Sequence, residues 1–99
     1  MVDLTTIETG RRFLTLLAKG GLARMEEHKL PRTDEGFKRL VILAHQSGQN
    51  AGYLLEPVQE DLKQLNNTAP LEELTLVQEA FIQGSCQRGI VKQILLGLS

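Results

Sequence analysis

The chain has few of the residues on which β-sheets and disulfide scaffolds depend. Its 99 residues contain no tryptophan, one cysteine, one tyrosine and three phenylalanines. Sheets draw on aromatic and β-branched residues, whereas leucine, which occurs 18 times, favours helices. A single cysteine cannot form an intramolecular disulfide, and a secreted chain this small normally carries several. We therefore expect an all-α protein of the reducing cytoplasm.

Long hydrophobic runs are also missing. No apolar stretch approaches the roughly 20 residues that a membrane span requires, and the first six residues lack a basic region followed by an apolar run. Neither export nor membrane insertion is expected. Hydrophobic residues at 41% and charged residues at 23% are typical of a folded globular chain, and the length predicts one helical domain over residues 1–99.

The spacing of apolar residues predicts a single compact bundle of five or six helices. Thr5 and Glu8 have the spacing of a capping box, so the first helix is expected to start there and to stop or kink at Gly20-Gly21, with a short second piece over 22–28. Thr33 or Asp34 can cap the next helix.

That next helix carries the clearest helical pattern in the chain, with apolar residues at spacings of three, four and seven from Phe37 to Leu55. We expect it to run through Gly48 and Gly52, which either kink it or, as we favour, let a neighbouring backbone approach closely. Pro57 is expected in the first turn of a further helix that ends at 66–68. Pro70 opens the last segment, with a break at 84–85 between two helices.

Catalytic and metal-binding patterns are not found in the sequence. Two histidines, His28 and His45, are too few and too widely spaced for a zinc set, and Cys86 has no cysteine or histidine close to it in sequence. No glycine-rich loop follows a strand, so nucleotide cradles are not expected. We predict no enzyme activity, no cofactor and no metal. A small enzyme that uses Cys86 or His45 is one alternative.

Basic residues are concentrated in the first half of the chain. Residues 1–48 hold eight Lys/Arg against six Asp/Glu, and residues 49–99 hold three against six. On the first helix Arg11, Arg12 and Lys19 fall within a band about 100° wide. Such cations suit weak, salt-sensitive contacts with phosphates of any sequence. With Tyr53 as the one candidate for stacking on bases, the domain alone should bind nucleic acid poorly.

Apolar residues outside the main apolar row of the middle helix form a second feature. Ile42, Tyr53 and Leu54 lie there, so this helix is expected to be buried on several sides. In a chain of this length, that requires either a central position in the bundle or a surface covered by another subunit. The sequence leaves both possibilities open.

A short, all-helical, non-catalytic chain with one basic side and additional apolar faces resembles the small subunit of CRISPR effector complexes. The resemblance concerns size, helix number and charge placement rather than a motif. It implies copies stacked on one another along a guide-RNA filament, with basic sides that hold nucleic acid strands. By this resemblance the phosphate-facing set consists of Arg11, Arg12, Lys19, Arg24, Lys38 and Arg39.

The leading hypothesis is therefore a non-enzymatic subunit of an RNA-guided effector complex. Its partners are further copies of itself, other subunits of the ribonucleoprotein, guide RNA, and single-stranded or duplex DNA contacted through phosphates. Ile42, Tyr53 and Leu54 are the expected protein interface. A different class of function is a helical protein-binding adaptor or regulator that acts as a homodimer and presents these same three residues to a partner helix.

Overall fold

Every regular element in the described part of the chain is helical. The computed structural model describes residues 4–82 and 88–98, with the backbone alone at 81 and 82. Two 3-10 turns, Leu4–Thr6 and Glu56–Val58, accompany six α-helices: α1 Glu8–Glu27, α2 Asp34–Gln46, α3 Ala51–Leu55, α4 Gln59–Thr68, α5 Leu71–Ile82 and α6 Arg88–Leu98. The prediction of an all-α bundle is confirmed.

Helix α1 is about 30 Å long at 1.5 Å per residue, and the other helices pack around it. The predicted stop at Gly20-Gly21 and the separate piece over 22–28 are wrong, because α1 continues to Glu27. Both glycines are buried, and they lie where neighbours come closest: Gly20 against the Leu54 carbonyl of α3, and Gly21 against the Leu40 and Leu95 side chains. Packing that only a glycine allows offsets their low helix propensity, about 1 kcal/mol each.

The start of α1 also differs from the prediction. The residue before the helix is Ile7, which makes no side-chain cap hydrogen bond, so Thr5 is not the cap of a capping box. Leu4 is fully buried, which holds the first residues in a 3-10 turn against α1. The cap comes from α5 instead, because the Thr9 amide and hydroxyl donate to Glu73 Oε1 at 3.2 and 2.7 Å.

A single helix from Phe37 to Leu55 is wrong as well. Helix α2 ends at Gln46, and Gly48 and Asn50 have positive φ angles of 77° and 50°. Nothing lies within 4 Å of a Cβ at Gly48, so this glycine serves a left-handed turn rather than close packing. The turn separates α3 from α2. At the other end of α2, the Thr33 cap is confirmed, since Gly36 N–H donates to Thr33 Oγ1 at 3.3 Å.

The prolines punctuate the second half of the chain as expected. Pro57 lies in the 3-10 turn that leads into α4, and Pro70 directly precedes α5. Helix α4 ends at Thr68, within the predicted 66–68. The predicted break at 84–85 lies outside the described residues, between the ends of α5 and α6.

One continuous core joins the first 3-10 turn with α1, α2, α5 and α6. Its buried members include Leu4, Leu14, Leu17, Met25, Phe37, Leu40, Val77, Val91 and Leu95. The radius of gyration is 12.9 Å, the size expected for a folded domain of about 100 residues. The α1 side chains outside this core face are left to form the surface described next.

Candidate functional site

A groove between α1 and α4 contains the three basic residues that the sequence placed on one side of the first helix. Arg11, Arg12 and Lys19 are all exposed there. The groove has a volume of about 500 Å³, and Asp61 and Gln64 of α4 also line it. We call it the cationic groove; its described lining consists of Glu8, Arg11, Arg12, Thr15, Leu16, Lys19, Asp61, Gln64 and Leu65.

The three cations differ in how far they are already engaged. Arg11 Nη1 donates to the Thr5 carbonyl oxygen at 2.9 Å. Within residues 4–82 and 88–98, the side chains of Arg12 and Lys19 make no hydrogen bond or ion pair. Two of the three positive charges are therefore available to an anion without breaking a contact to the described chain.

Acidic residues moderate the charge of the cationic groove. Glu8 and Asp61 are part of its lining, so its described residues carry a formal net charge of one positive unit at neutral pH. Nearby, the pKa of Glu73 is lowered, mainly by the hydrogen bonds from the Thr9 hydroxyl and amide and further by the charge of Arg11, against an opposing effect of burial. The groove thus suits a weak, electrostatic contact with phosphate rather than tight binding.

The structure places Arg24 away from the exposed cations. Only 13% of its side chain is exposed, and Nη1 and Nη2 lie 3.0 and 3.2 Å from carboxylate oxygens of Glu27 and Glu56. Its Nε donates to the Tyr53 carbonyl oxygen at 3.0 Å, and the guanidinium lies 4.1 Å from the centre of the Tyr53 ring. Arg24 therefore joins α1 to α3, and sequence reasoning missed this role because the partners lie 29 residues apart.

Burial and the neighbouring polar groups shift the pKa of Arg24 in opposite directions. Desolvation by burial lowers the pKa of the guanidinium, but the hydrogen bond to Glu27 and the electrostatic interactions with Glu27, Tyr53 and Glu56 outweigh it, so the pKa is raised overall. Arg24 consequently remains charged, with its charge already matched inside the protein.

Lys38 and Arg39 are exposed on α2 and are not part of the cationic groove lining. Lys38 Nζ lies 3.6 Å from a Glu35 carboxylate oxygen one turn away. The Arg39 side chain makes no hydrogen bond or ion pair to the residues that the structure describes. The six predicted cations therefore occupy three places: the groove, the α1–α3 contact and the outer face of α2.

A second groove, between α2, α3 and α6, is mostly apolar and has a volume of about 730 Å³. Its lining includes Phe37, Leu40, Ile42, Ala51, Leu54 and Val91, and we call it the apolar groove. Ile42 is 52% exposed at its edge. Two of the three predicted interface residues, Ile42 and Leu54, therefore meet here, although they lie on separate helices.

Tyr53, the third predicted interface residue, does not line the apolar groove. Its ring contacts Arg24, and its hydroxyl lies 2.8 Å from His28 Nε2. This half-buried tyrosine fixes α3 on α1. Sequence reasoning missed two polar residues of the apolar groove, His45 and Arg88, because only the fold brings the end of α2 next to the start of α6.

The described residues present no arrangement typical of a metal centre. Nowhere in residues 4–82 and 88–98 do three His, Cys, Asp or Glu side chains gather as metal ligands would. Cys86 lies outside the described residues. His45, the other candidate for catalysis, is exposed, and its imidazole makes no hydrogen bond to those residues. No described helix combines the length and the apolar character that a membrane crossing requires.

Comparison with known proteins gives no match to a protein-family model, to a curated protein or to a solved structure. The properties of the two grooves are therefore the basis for any functional conclusion.

Proposed function

We propose that this protein is a non-enzymatic, cytoplasmic small subunit of a multi-subunit CRISPR-type RNA-guided effector complex. In this role the cationic groove holds phosphates of guide RNA or DNA, and apolar surface contacts other subunits and further copies of the chain. The observation that carries the proposal is that Arg11, Arg12 and Lys19 are exposed in one groove, where the side chains of Arg12 and Lys19 have no partner among the described residues.

The geometry of α1 supports contact with a strand rather than with a single anion. Arg11 and Lys19 are eight residues apart, which is about 12 Å along a helix. Along the axis of a duplex, that length corresponds to three to four nucleotide steps of one strand at about 3.4 Å each. None of the three cations has a rigid setting that would read a base edge, so contacts with phosphates of any sequence are the chemistry that fits.

Assembly into a complex supplies the affinity that one groove lacks. Three cations moderated by two carboxylates give weak binding at physiological salt. When adjacent copies present the same groove to one strand, each further contact is intramolecular, and the effective concentration raises the overall affinity. A single copy is therefore expected to bind weakly, and the assembled complex much more tightly.

Mobility-shift binding to labelled single-stranded RNA and DNA at two salt concentrations, with and without co-purified subunits, tests the proposal. We expect binding to be lost when Arg11, Arg12 and Lys19 are replaced by Glu. Lys63→Glu is the matched control, because Lys63 is an exposed lysine of α4 outside the groove lining. Binding that survives the triple reversal, or that falls equally in the control, would overturn the proposal.

A second candidate is a helical protein-binding adaptor that acts as a homodimer. The exposure of Ile42 at the edge of the apolar groove favours it, whereas the basic Arg88 in the same groove opposes a two-fold contact. Here the α1 cations serve solubility alone. Sedimentation equilibrium distinguishes the two functions. The adaptor requires a dimer that Leu54→Asp abolishes and that charge reversal on α1 leaves intact.

A further inference from the structure

The one charged residue among the described lining of the apolar groove is basic. Among the described residues its lining contains no Asp or Glu, and it includes Arg88 and the polar side chains of His45, Gln46 and Asn50. Residues 83–87, which precede Arg88, contain no acidic residue in sequence. The chain as a whole has a net charge of −1, so the described lining of this groove differs in sign from the chain.

The outer edge of the apolar groove continues this pattern. Ile42 lies four residues after Lys38 and three after Arg39, so both basic side chains neighbour it on the surface of α2. Arg39 and Arg88 form no ion pair with any described residue, whereas Lys38 is paired with Glu35. An apolar surface is thus bordered by positive charges that the described fold leaves unmatched.

A second copy of this chain fits the apolar groove poorly. In a two-fold symmetric dimer the same surface meets itself, so Arg39 and Arg88 of both copies would be brought close together. Like charges brought together at an interface weaken it. The charge pattern instead favours an occupant that carries carboxylates beside apolar side chains.

We infer that the apolar groove binds an amphipathic helix of another protein that has acidic residues on both sides of its apolar row. The cavity of about 730 Å³ between three helices accepts side chains at positions i, i+3, i+4 and i+7 of such a helix. Ile42 and Leu54 contact the apolar row, and Arg39 and Arg88 pair with the flanking carboxylates. This inference involves neither the cationic groove nor nucleic acid.

Two synthetic peptides of about 16 residues test the inference, since that length supports a helix. Both carry the same four leucines at i, i+3, i+4 and i+7; one has Glu at the flanking positions and the other has Lys. Calorimetry or fluorescence anisotropy with the intact protein measures binding. We expect the Glu peptide to bind at least about tenfold more tightly than the Lys peptide.

Substitutions in the protein assign the binding to the groove. Ile42→Asp is expected to lower the affinity for the Glu peptide by about tenfold or more, because it places a carboxylate at the apolar edge of the groove. Leu71→Asp is the matched control, since Leu71 is 78% exposed on α5 and is not part of the groove lining. Arg88→Glu should lower the affinity for the Glu peptide and raise the affinity for the Lys peptide.

Three outcomes would overturn the inference. The first is equal binding of the two peptides, and the second is no binding of the Glu peptide at millimolar concentration. The third is an equal loss of affinity for the Glu peptide with Ile42→Asp and with Leu71→Asp. Sedimentation of the free protein adds a fourth: a dimer that Ile42→Asp dissociates would show that a second copy occupies the groove. Ile42→Asp and Leu71→Asp leave the lining of the cationic groove unchanged, so nucleic acid binding is expected to persist in both variants. Failure of this inference is therefore distinguishable from failure of the proposed function.

Discussion

The contact between α1 and α3 depends on the lack of a side chain at Gly20, so Gly20→Ala probes the packing of the bundle. A methyl group at this position would overlap the carbonyl oxygen of Leu54. A backbone carbonyl cannot rotate away as a flexible side chain does, so α3 must move. The movement would also disturb the Arg24 contacts with Tyr53.

Opposing effects determine how much Gly20→Ala changes the free energy of unfolding. Inserting one carbon into a packed interior costs about 1–3 kcal/mol, and a weakened cation–π contact costs about 1 kcal/mol more. Replacing glycine by alanine within a helix stabilises the helix by about 1 kcal/mol. We expect a net loss of about 2 kcal/mol in the free energy of unfolding, which for a domain of this size lowers the Tm by about 10 °C.

Urea and thermal unfolding followed by circular dichroism measure this change. Gly52→Ala is the control: its Cβ would meet Gln49 Cβ at 3.5 Å, an ordinary contact, so this exposed helical position should be stabilised by up to about 1 kcal/mol. If Gly20→Ala were as stable as Gly52→Ala, the close approach of α3 to α1 would be refuted.

Three further substitutions test other contacts. Arg24→Met keeps the aliphatic stem but removes the bonds to α3, and should lower the free energy of unfolding in urea by about 1–2 kcal/mol. Gly48→Ala forces alanine to a φ near +77° and should cost about 1 kcal/mol by the same assay. Glu73 has a lowered pKa in the fold, so its ionised form stabilises the protein above the unfolded-state pKa of about 4.3 and this contribution is lost as the pH falls. The Tm deficit of Glu73→Gln should therefore shrink in acid; a deficit that is constant from pH 7 to pH 3 would contradict this.

Local signals in the sequence predicted much of the fold. Helical spacing, the Thr33 cap and the positions of Pro57 and Pro70 depend on interactions within a few residues. The wrong predictions concern features of the fold that depend on packing between residues far apart in sequence. The sequence does not show that the Leu54 carbonyl lies over Gly20, or that Glu73 caps the first turn of α1 from 64 residues away.

The candidate site was likewise predictable where its residues share one helix, and not where tertiary contacts bring them together. Arg11, Arg12 and Lys19 share a helix, so periodicity alone places them on one face. Arg24 follows the same basic pattern in sequence, yet Tyr53 and Glu56 engage it after folding. The apolar groove was only half predicted, since the break at Gly48 places Ile42 and Leu54 on different helices and tertiary packing brings them together again.

The salt dependence of RNA binding tests the role of the cationic groove most directly. For a single strand, the logarithm of the binding constant falls with the logarithm of salt concentration by about 0.7 for each phosphate neutralised. Three groove cations therefore predict a slope of about −2, and the double variant Arg12→Gln, Lys19→Gln predicts about −0.7. A slope near zero in the unsubstituted protein, or the same slope in the double variant, would contradict phosphate binding by this groove.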